Sequence, residues 1–326
     1  MIELFISNFI LDKKTVLFAI NNTCNCRCDM CSIWKYDNKK IVKLIEGRKA
    51  LSKLYKNNFG SLQITGGEPL LNSDVYSIID YAKKLNFIVF LVTNGTLINE
   101  LTAKKLSESR VDNVGISFHH YDNFIFEKIS NHKNILSKVM NAVKYLKKEN
   151  IPVEALFTIS KFNKDDIEKT VEFINSLGIG VSFCIPMIIK DTSYCLGGRS
   201  AEFSNEELND VITEIIHLKK KRYWIINNMI FFKEILNFLN GKNKYSCLGG
   251  NKLFYLDWNL NLYPCMVKGS PKNIDKVDFN LKGEKCNECL LQCFREPSLF
   301  LISRPLAISL ILQDLPTYVK MTKTRY

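Results

Sequence analysis

Six short β-rich runs, at 15–21, 61–65, 87–93, 113–118, 153–160 and 180–186, alternate with helical patterns at 41–56, 74–84, 99–107, 135–149 and 164–177. Helical crossovers between neighbouring strands point to a parallel sheet, and right-handed crossovers of this length curl it into a full or partial barrel. Functional residues then belong just after the strand C-termini. The alternation stops near Arg199. A charged helical pattern at 205–221 follows, then a strand-like run at 223–227, an apolar helix at 229–239, a hairpin-like pair at 252–257 and 261–263, and a cysteine-dense tail. The boundary falls at about residue 203, giving an α/β barrel over 1–203 and a small α+β cysteine-rich domain over 204–326.

A chain of 326 residues, 46% of them hydrophobic, can bury a core of this size. The even spread of Ile, Leu, Phe and Tyr excludes disorder, and 15 Gly and 8 Pro without a period exclude collagen-like structure. The net charge of +12 is dispersed, and 37 of the 45 cations are lysines, with 8 arginines. Phosphate and base recognition enriches arginine forks, so this is a lysine-rich composition rather than a nucleic-acid footprint. The opening residues carry Glu3, no basic leading region and no small-residue cleavage site, so no secretory signal is expected. The longest apolar run, 299–312, is interrupted by Arg304 and Pro305 and reads as a docked C-terminal helix or at most an interfacial one, which keeps peripheral membrane contact open. The expected compartment is cytoplasmic and reducing, where eleven cysteines mean metal or catalysis rather than disulfides.

Directly after the first strand comes Thr23-Cys24-Asn25-Cys26-Arg27-Cys28-Asp29-Met30-Cys31. Cys24, Cys28 and Cys31 have the spacing C-x3-C-x2-C, which lets one loop wrap three corners of an iron–sulfur cube. Four cysteines normally close such a cube, so three leave one iron open to an exogenous ligand. Cys26 makes a fourth cysteine within eight residues, too tight for a relaxed tetrahedral zinc site, which prefers paired knuckles brought from two places. Cys26 reads as a bystander.

The loop resembles that of the radical S-adenosylmethionine (SAM) enzymes, whose partial (β/α)6 TIM-type barrel carries it after the first strand and a Gly-Gly-Glu-Pro segment after the second. Here the run 61–65 leads straight into Gly66-Gly67-Glu68-Pro69. The resemblance implies a [4Fe-4S] cluster with an open iron chelated by SAM, and Gly66, Gly67, Glu68 and Pro69 near the SAM amino group. It places Met30 against adenine, Asn94 of Thr93-Asn94-Gly95 at a further contact, and Ser117 near the ribose or carboxylate. It also implies a flavodoxin or ferredoxin reductant. Ser117-Phe118-His119-His120 departs from the family's common Ser-Leu-Asp-Gly, so the histidine pair is either a polar strand-end loop or a substrate contact. No arginine on the fifth strand offers itself to the SAM carboxylate.

The tail holds Cys247, Cys265, Cys286, Cys289 and Cys293. A hairpin pair plus the Cys286–Cys289 C-x2-C knuckle converges four thiolates, which suits tetrahedral zinc or a fully ligated cube. Cys247-Leu248-Gly249-Gly250 with Leu262-Tyr263-Pro264-Cys265 resembles the auxiliary-cluster extension called SPASM or Twitch, and implies one auxiliary [4Fe-4S] cluster on Cys247, Cys265, Cys286 and Cys289. Cys293 is a spare or displaces one of these, and Leu260 stands where a glycine is common. Cys184 reads as core, whereas Cys195, in the loop beyond the sixth strand, is a candidate hydrogen donor. The resemblance implies hydrogen abstraction from a substrate in the barrel, ending in oxidation with the second cluster accepting the electron. A sugar-like or other small-molecule metabolite is the expected substrate, with a peptide (maturase or epimerase) or a lipid as alternatives. From another class comes a non-catalytic zinc-binding module, which would need neither Gly66–Pro69 nor the βα alternation.

Overall fold

The computed structural model describes residues 12–187, 198–277, 279 and 286–323. Strands β1 (Lys14–Ala19), β2 (Phe59–Thr65), β3 (Ile88–Thr93), β4 (Asn113–Ser117), β5 (Val153–Thr158) and β6 (Gly180–Cys184) pair in parallel in chain order. The sheet stays open, with β6 at one edge. At its other end β7 (Leu253–Leu256) pairs in parallel with β1, setting Thr15 opposite Leu253, and β8 (Asn261–Tyr263) and β9 (Lys272–Asn273) continue antiparallel. The hairpin of the C-terminal region therefore extends the barrel sheet.

Strand alternation explains how the sheet faces two environments. Val16, Phe18, Ile64, Leu91, Val114, Ile116, Ala155, Phe157, Val181 and Phe183 are buried and stay out of the cavity lining. They lie under helices α1 (Leu44–Lys56), α2 (Val75–Lys84), α3 (Glu100–Glu108), α4 (Asn123–Ser130), α5 (Ile135–Lys148) and α6 (Ile167–Ser176), whose own apolar stripes, such as Ala50, Leu51 and Leu54 on α1, meet them. Each such large side chain contributes about 1.5–3 kcal/mol of burial. The alternate positions, among them Gln63, Thr65, Phe90, Ser117, Glu154, Thr158, Ser182 and Cys184, line an internal cavity of about 460 Å³. Mixed chemistry on this inner face is what a barrel needs if it is to hold a ligand rather than fill itself.

Besides the added β9 and a last helix after residue 314, three elements differ from the sequence-based expectation. Helix α4 forms where no helix is expected; it is short, and its start rests on one cap, the Asp122 carboxylate accepting from Ile125 N at 3.1 Å. The expected strand at 223–227 is reduced to a single bridge, Ile225 to Val181. There the Asn227 side chain replaces the ladder, accepting from Phe183 N at 2.6 Å and donating to Phe183 O at 3.2 Å. The expected helix at 299–312 is split between α9 (Gln292–Ile302) and α10 (Arg304–Gln313), for which we count α7 (Asn205–Lys220) and α8 (Met229–Leu239) as the preceding helices. Ser303 is extended, its hydroxyl accepts from Leu306 N, and Pro305 sits in the first turn of α10, a combination that ends one helix and starts another. α11 (Leu315–Lys323) follows, and among the described residues no helix is long and apolar enough to cross a membrane.

α9 supplies a wall of the cavity through Gln292, Cys293, Glu296, Pro297, Phe300 and Leu301. Glu296 clasps it to the barrel, accepting from Asn227 Nδ2 at 2.8 Å and Asn228 N at 2.7 Å. The buried Lys219–Asp314 pair at 2.9 Å ties α7 to the end of α10. Leu260, where a glycine was expected to be the ordinary choice, adopts φ +59° in the turn between β7 and β8, a left-handed conformation that costs a branched side chain about 1–2 kcal/mol.

Candidate active site

The loop that leaves β1 is held on two sides. On one side it runs backbone to backbone against the segment after β2: Gly67 N donates to Asn21 O at 3.0 Å, Glu68 N donates to Thr23 O at 2.7 Å, and Asn21 Nδ2 donates to Glu68 O at 2.8 Å. A Cβ on Gly67 would lie 2.1 Å from Thr23 O, and one on Gly66, at φ +147°, 2.6 Å from Asn21 O. The two glycines are thus required for the cysteine loop to reach the strand-end segment at all. On the other side, Arg27 N and Asp29 N donate to Ser130 O and Ile129 O at the end of α4, both at 3.0 Å. Trp34 Nε1 donates to Cys31 O at 2.8 Å, and the Asp29 carboxylate accepts from the Ser200 hydroxyl.

Cys24, Cys28 and Cys31 are half-buried and all face the cavity. Cys26 is buried, and its sulfur is in hydrogen-bond contact with those of Cys24 and Cys28. The bond from Cys26 outweighs burial and holds the Cys24 thiol below its ordinary range, while the same contacts push Cys26 up. Cys26 N also donates to Cys24 Sγ at 3.4 Å, and Asn94 Nδ2 approaches Cys24 Sγ at 3.9 Å.

Glu68 is fully buried. Its carboxylate accepts from Thr93 Oγ1 at 2.7 Å, Asn94 N at 2.7 Å and Leu70 N at 3.0 Å, so it joins the end of β3 to the turn begun by Pro69. Burial pushes it up from the usual carboxylate range, and these donors oppose the shift. Asn94 is locked by Thr96 N at 3.0 Å and by its own bond to Asn25 Oδ1 at 2.8 Å. Met30 and Ser117 line the same cavity as the cysteines.

Of the histidine pair, His119 lines the cavity, its Nδ1 accepting from Thr158 N at 3.2 Å; burial lowers it to about 4, so the ring is neutral and carries its proton on Nε2. His120 is buried; its Nδ1 accepts from Asp122 N at 2.9 Å and its Nε2 faces Asp166 at 3.5 Å. The inward positions of β5 are Glu154, Leu156 and Thr158. Among the described residues lining the cavity there is no lysine or arginine, whereas Asp112, Glu154 and Glu296 are present. Cys195 lies outside the described residues.

Glu154 is 8% exposed and accepts from Ser182 Oγ at 3.1 Å, and burial pushes its carboxyl up to about 7. The unfolded chain ionises this group near 4.5, so between about pH 4.5 and 7 the native state binds the extra proton and stability falls as pH rises. The full difference is on the order of 3 kcal/mol. Glu154→Gln is expected to remove this slope, raising the melting temperature at pH 8 and barely at pH 4.5. Equal shifts at both pH values in thermal scans would contradict the assignment.

In the C-terminal region Cys247 and Cys286 face each other across a bridge, Cys247 N donating to Cys286 O at 2.8 Å. Main-chain donors point at the sulfurs: Gly249 N at Cys247 Sγ (3.4 Å), and Val267 N and Lys268 N at Cys265 Sγ (3.3 and 3.0 Å). Burial and then the neighbouring thiols raise Cys265, and Cys289 to about 11. Arg295, 4% exposed and unnoticed in the sequence, contacts Asn287 Oδ1 at 3.1 Å and opposes the upward shift of Cys247. Cys293 instead lines the barrel cavity, as does Cys184, which the sequence placed in the core. Strand parity was the available signal for Cys184, which shares a face with Ser182. Among the described residues no three His, Cys, Asp or Glu side chains meet closely enough to hold a single metal ion. The donor chemistry fits polynuclear clusters, which take one thiolate at each iron and are tuned by N–H···S bonds of the kind seen at both sites.

The family profile described as the Radical SAM superfamily matches residues 19–174. The barrel is a radical SAM domain. Such domains bind S-adenosylmethionine at a [4Fe-4S] cluster. The probable GTP 3',8-cyclase of Sulfurisphaera tokodaii is 26% identical over 289 residues, 85% of this chain and 88% of that one. The probable GTP 3',8-cyclase of Saccharolobus islandicus is 27% identical over 177 residues, 53% of this chain and 57% of that one. The crystal structure of Streptococcus suis SuiB bound to S-adenosylmethionine superposes with a TM-score of 0.66 at 14% identity, covering 82% of this chain and 65% of SuiB. At that identity the likeness is one of fold. The chain thus spans less than two thirds of the last two proteins.

Proposed function

We propose that this radical SAM domain acts on a sugar-like or other small metabolite held in the barrel, and that the region 204–326 adds a second [4Fe-4S] cluster to the core of residues 1–203. The observation that carries the radical SAM chemistry is the junction of the cysteine loop with Gly66 and Gly67 at the rim of the 460 Å³ cavity, which leaves room for a small substrate. When bound, the cluster and SAM supply one-electron cleavage of SAM to a 5'-deoxyadenosyl radical, with flavodoxin or ferredoxin as reductant. Cys24, Cys28 and Cys31 hold the cluster; Gly66, Gly67, Glu68 and Pro69 shape the SAM side of the rim, with Met30, Asn94 and Ser117 on the adjoining wall. Cys247, Cys265, Cys286 and Cys289 hold the second cluster, and Arg295 offsets the charge of its thiolates. The neutral His119 faces the cavity as a hydrogen-bonding group without charge.

The cavity wall supports a neutral or amine-bearing substrate over a polyanion: it carries no described lysine or arginine to pair with a triphosphate, and burial pushes the carboxyls of Glu154 and Glu296 toward their neutral forms. A second reading, cyclisation of GTP, is favoured by the names of the relatives. Anaerobic protein given SAM and a low-potential reductant is expected to form 5'-deoxyadenosine, and GTP is expected to leave the rate unchanged. Stimulation by GTP with consumption of the nucleotide would replace the metabolite reading with the cyclase one, and absence of 5'-deoxyadenosine would remove both.

A further inference from the structure

Cys184 ends β6 at the rim of the barrel, opposite Thr158 in the β5–β6 register. Its thiol lines the same cavity as Cys24, Cys28, Cys31, Gly66 and Gly67. Around it stand groups that no other part of the site uses. Ser182 is two residues earlier on the same face, Glu154 reaches across from β5 to Ser182 at 3.1 Å, and α9 brings Cys293 and Glu296 to the same cavity. These residues come from β5, β6 and a helix more than a hundred residues later, which Glu296 helps to hold in place through Asn227 and Asn228.

The surroundings keep both thiols protonated. Burial first, then the charges of Glu154 and Glu296, push Cys184 up to about 12, and burial with the nearby Cys184 pushes Cys293 up as well. A thiol that stays protonated is a poor nucleophile and a poor metal ligand. Its S–H bond is nevertheless weaker than a C–H or O–H bond, and this is the one chemistry such a group does well beside a carbon radical. Cys293, on α9, lines the same cavity as Cys184.

We propose that Cys184 donates a hydrogen atom to a carbon-centred radical in the barrel, an assignment that rests on the radical SAM reading above. The Cys184 S–H bond breaks homolytically, its hydrogen forms a C–H bond at the radical carbon, and a thiyl radical remains on sulfur. One electron from a low-potential iron–sulfur reductant and one proton restore the thiol. The reaction then ends in C–H formation, and the second cluster delivers an electron rather than accepting one, in place of the oxidative ending expected from the sequence. Cys195, the donor suggested by the sequence, becomes the control.

The test needs no substrate. Reconstituted full-length protein is incubated with SAM and titanium(III) citrate in D2O buffer free of added thiol, and the mass of the 5'-deoxyadenosine formed is measured. Cys184 exchanges to S–D, so wild type is expected to yield product one mass unit heavier. Cys184→Ala and the near-isosteric Cys184→Ser, with iron content equal to wild type, are expected to lose the label, and Cys195→Ala to keep it. Unlabelled 5'-deoxyadenosine from wild type, or label that survives in both Cys184 variants, overturns the assignment while leaving the radical SAM reading intact. No 5'-deoxyadenosine from any protein overturns that reading and the assignment with it.

Discussion

Protein carrying Cys24→Ala, Cys28→Ala and Cys31→Ala is expected to form no 5'-deoxyadenosine and to lose about four of roughly eight irons per chain after anaerobic reconstitution. The three thiols face one cavity and sit on a loop fixed at both ends, so removing them takes away the ligands without disturbing the outward-facing aliphatic layer that holds the barrel together. Cys286→Ala with Cys289→Ala should also remove about four irons, yet leave 5'-deoxyadenosine formation in place, because those thiols belong to a different element of the fold. Iron, sulfide and zinc analysis of the three proteins separates the possibilities. Four irons in wild type, none in the first variant and one zinc in both would keep the SAM chemistry and remove the second cluster. Zinc alone in every protein would return the chain to the binding-module class.

Gly67→Ala should be nearly as damaging although it removes no ligand. Its Cβ would sit 2.1 Å from Thr23 O and 3.0 Å from Cys24 N, and both neighbours are main-chain atoms that cannot rotate aside. Relief requires the cysteine loop to move off the β2 segment, breaking the Glu68 N to Thr23 O bond at 2.7 Å. Overpacking of this kind costs on the order of 3 kcal/mol. The apoprotein is therefore expected to melt several degrees lower, and the reconstituted protein to hold cluster iron poorly and to cleave little SAM. A variant with wild-type melting temperature and iron content would show that the loop is not set by this contact.

The barrel was legible because its evidence is local. Each βα unit shows its period within twenty or thirty residues, and the cysteine spacing and the Gly-Gly-Glu-Pro run each occupy one strand end. The elements that went unread depend on partners far away. Asn227 replaces a strand ladder with side-chain bonds to Phe183, which no propensity at 223–227 could show. Likewise α4 owes its place to packing under Phe118 and to the carbonyls of Ile129 and Ser130 that receive the cysteine loop.

By itself, then, the sequence determined the parallel α/β barrel, the three-thiol loop and its glycine seat, since periodicity and ligand spacing are properties of contiguous residues. It did not determine what faces what. Cys293 reads as a spare beside the second-cluster ligands or as a replacement for one of them, and Cys184 as core, until α9 is laid along the barrel and both residues line a cavity with Glu154 and Glu296. Only the tertiary structure could decide this, because the direction of a side chain on one element carries no information about which element lies opposite, and the chemistry of a thiol is set by that neighbour.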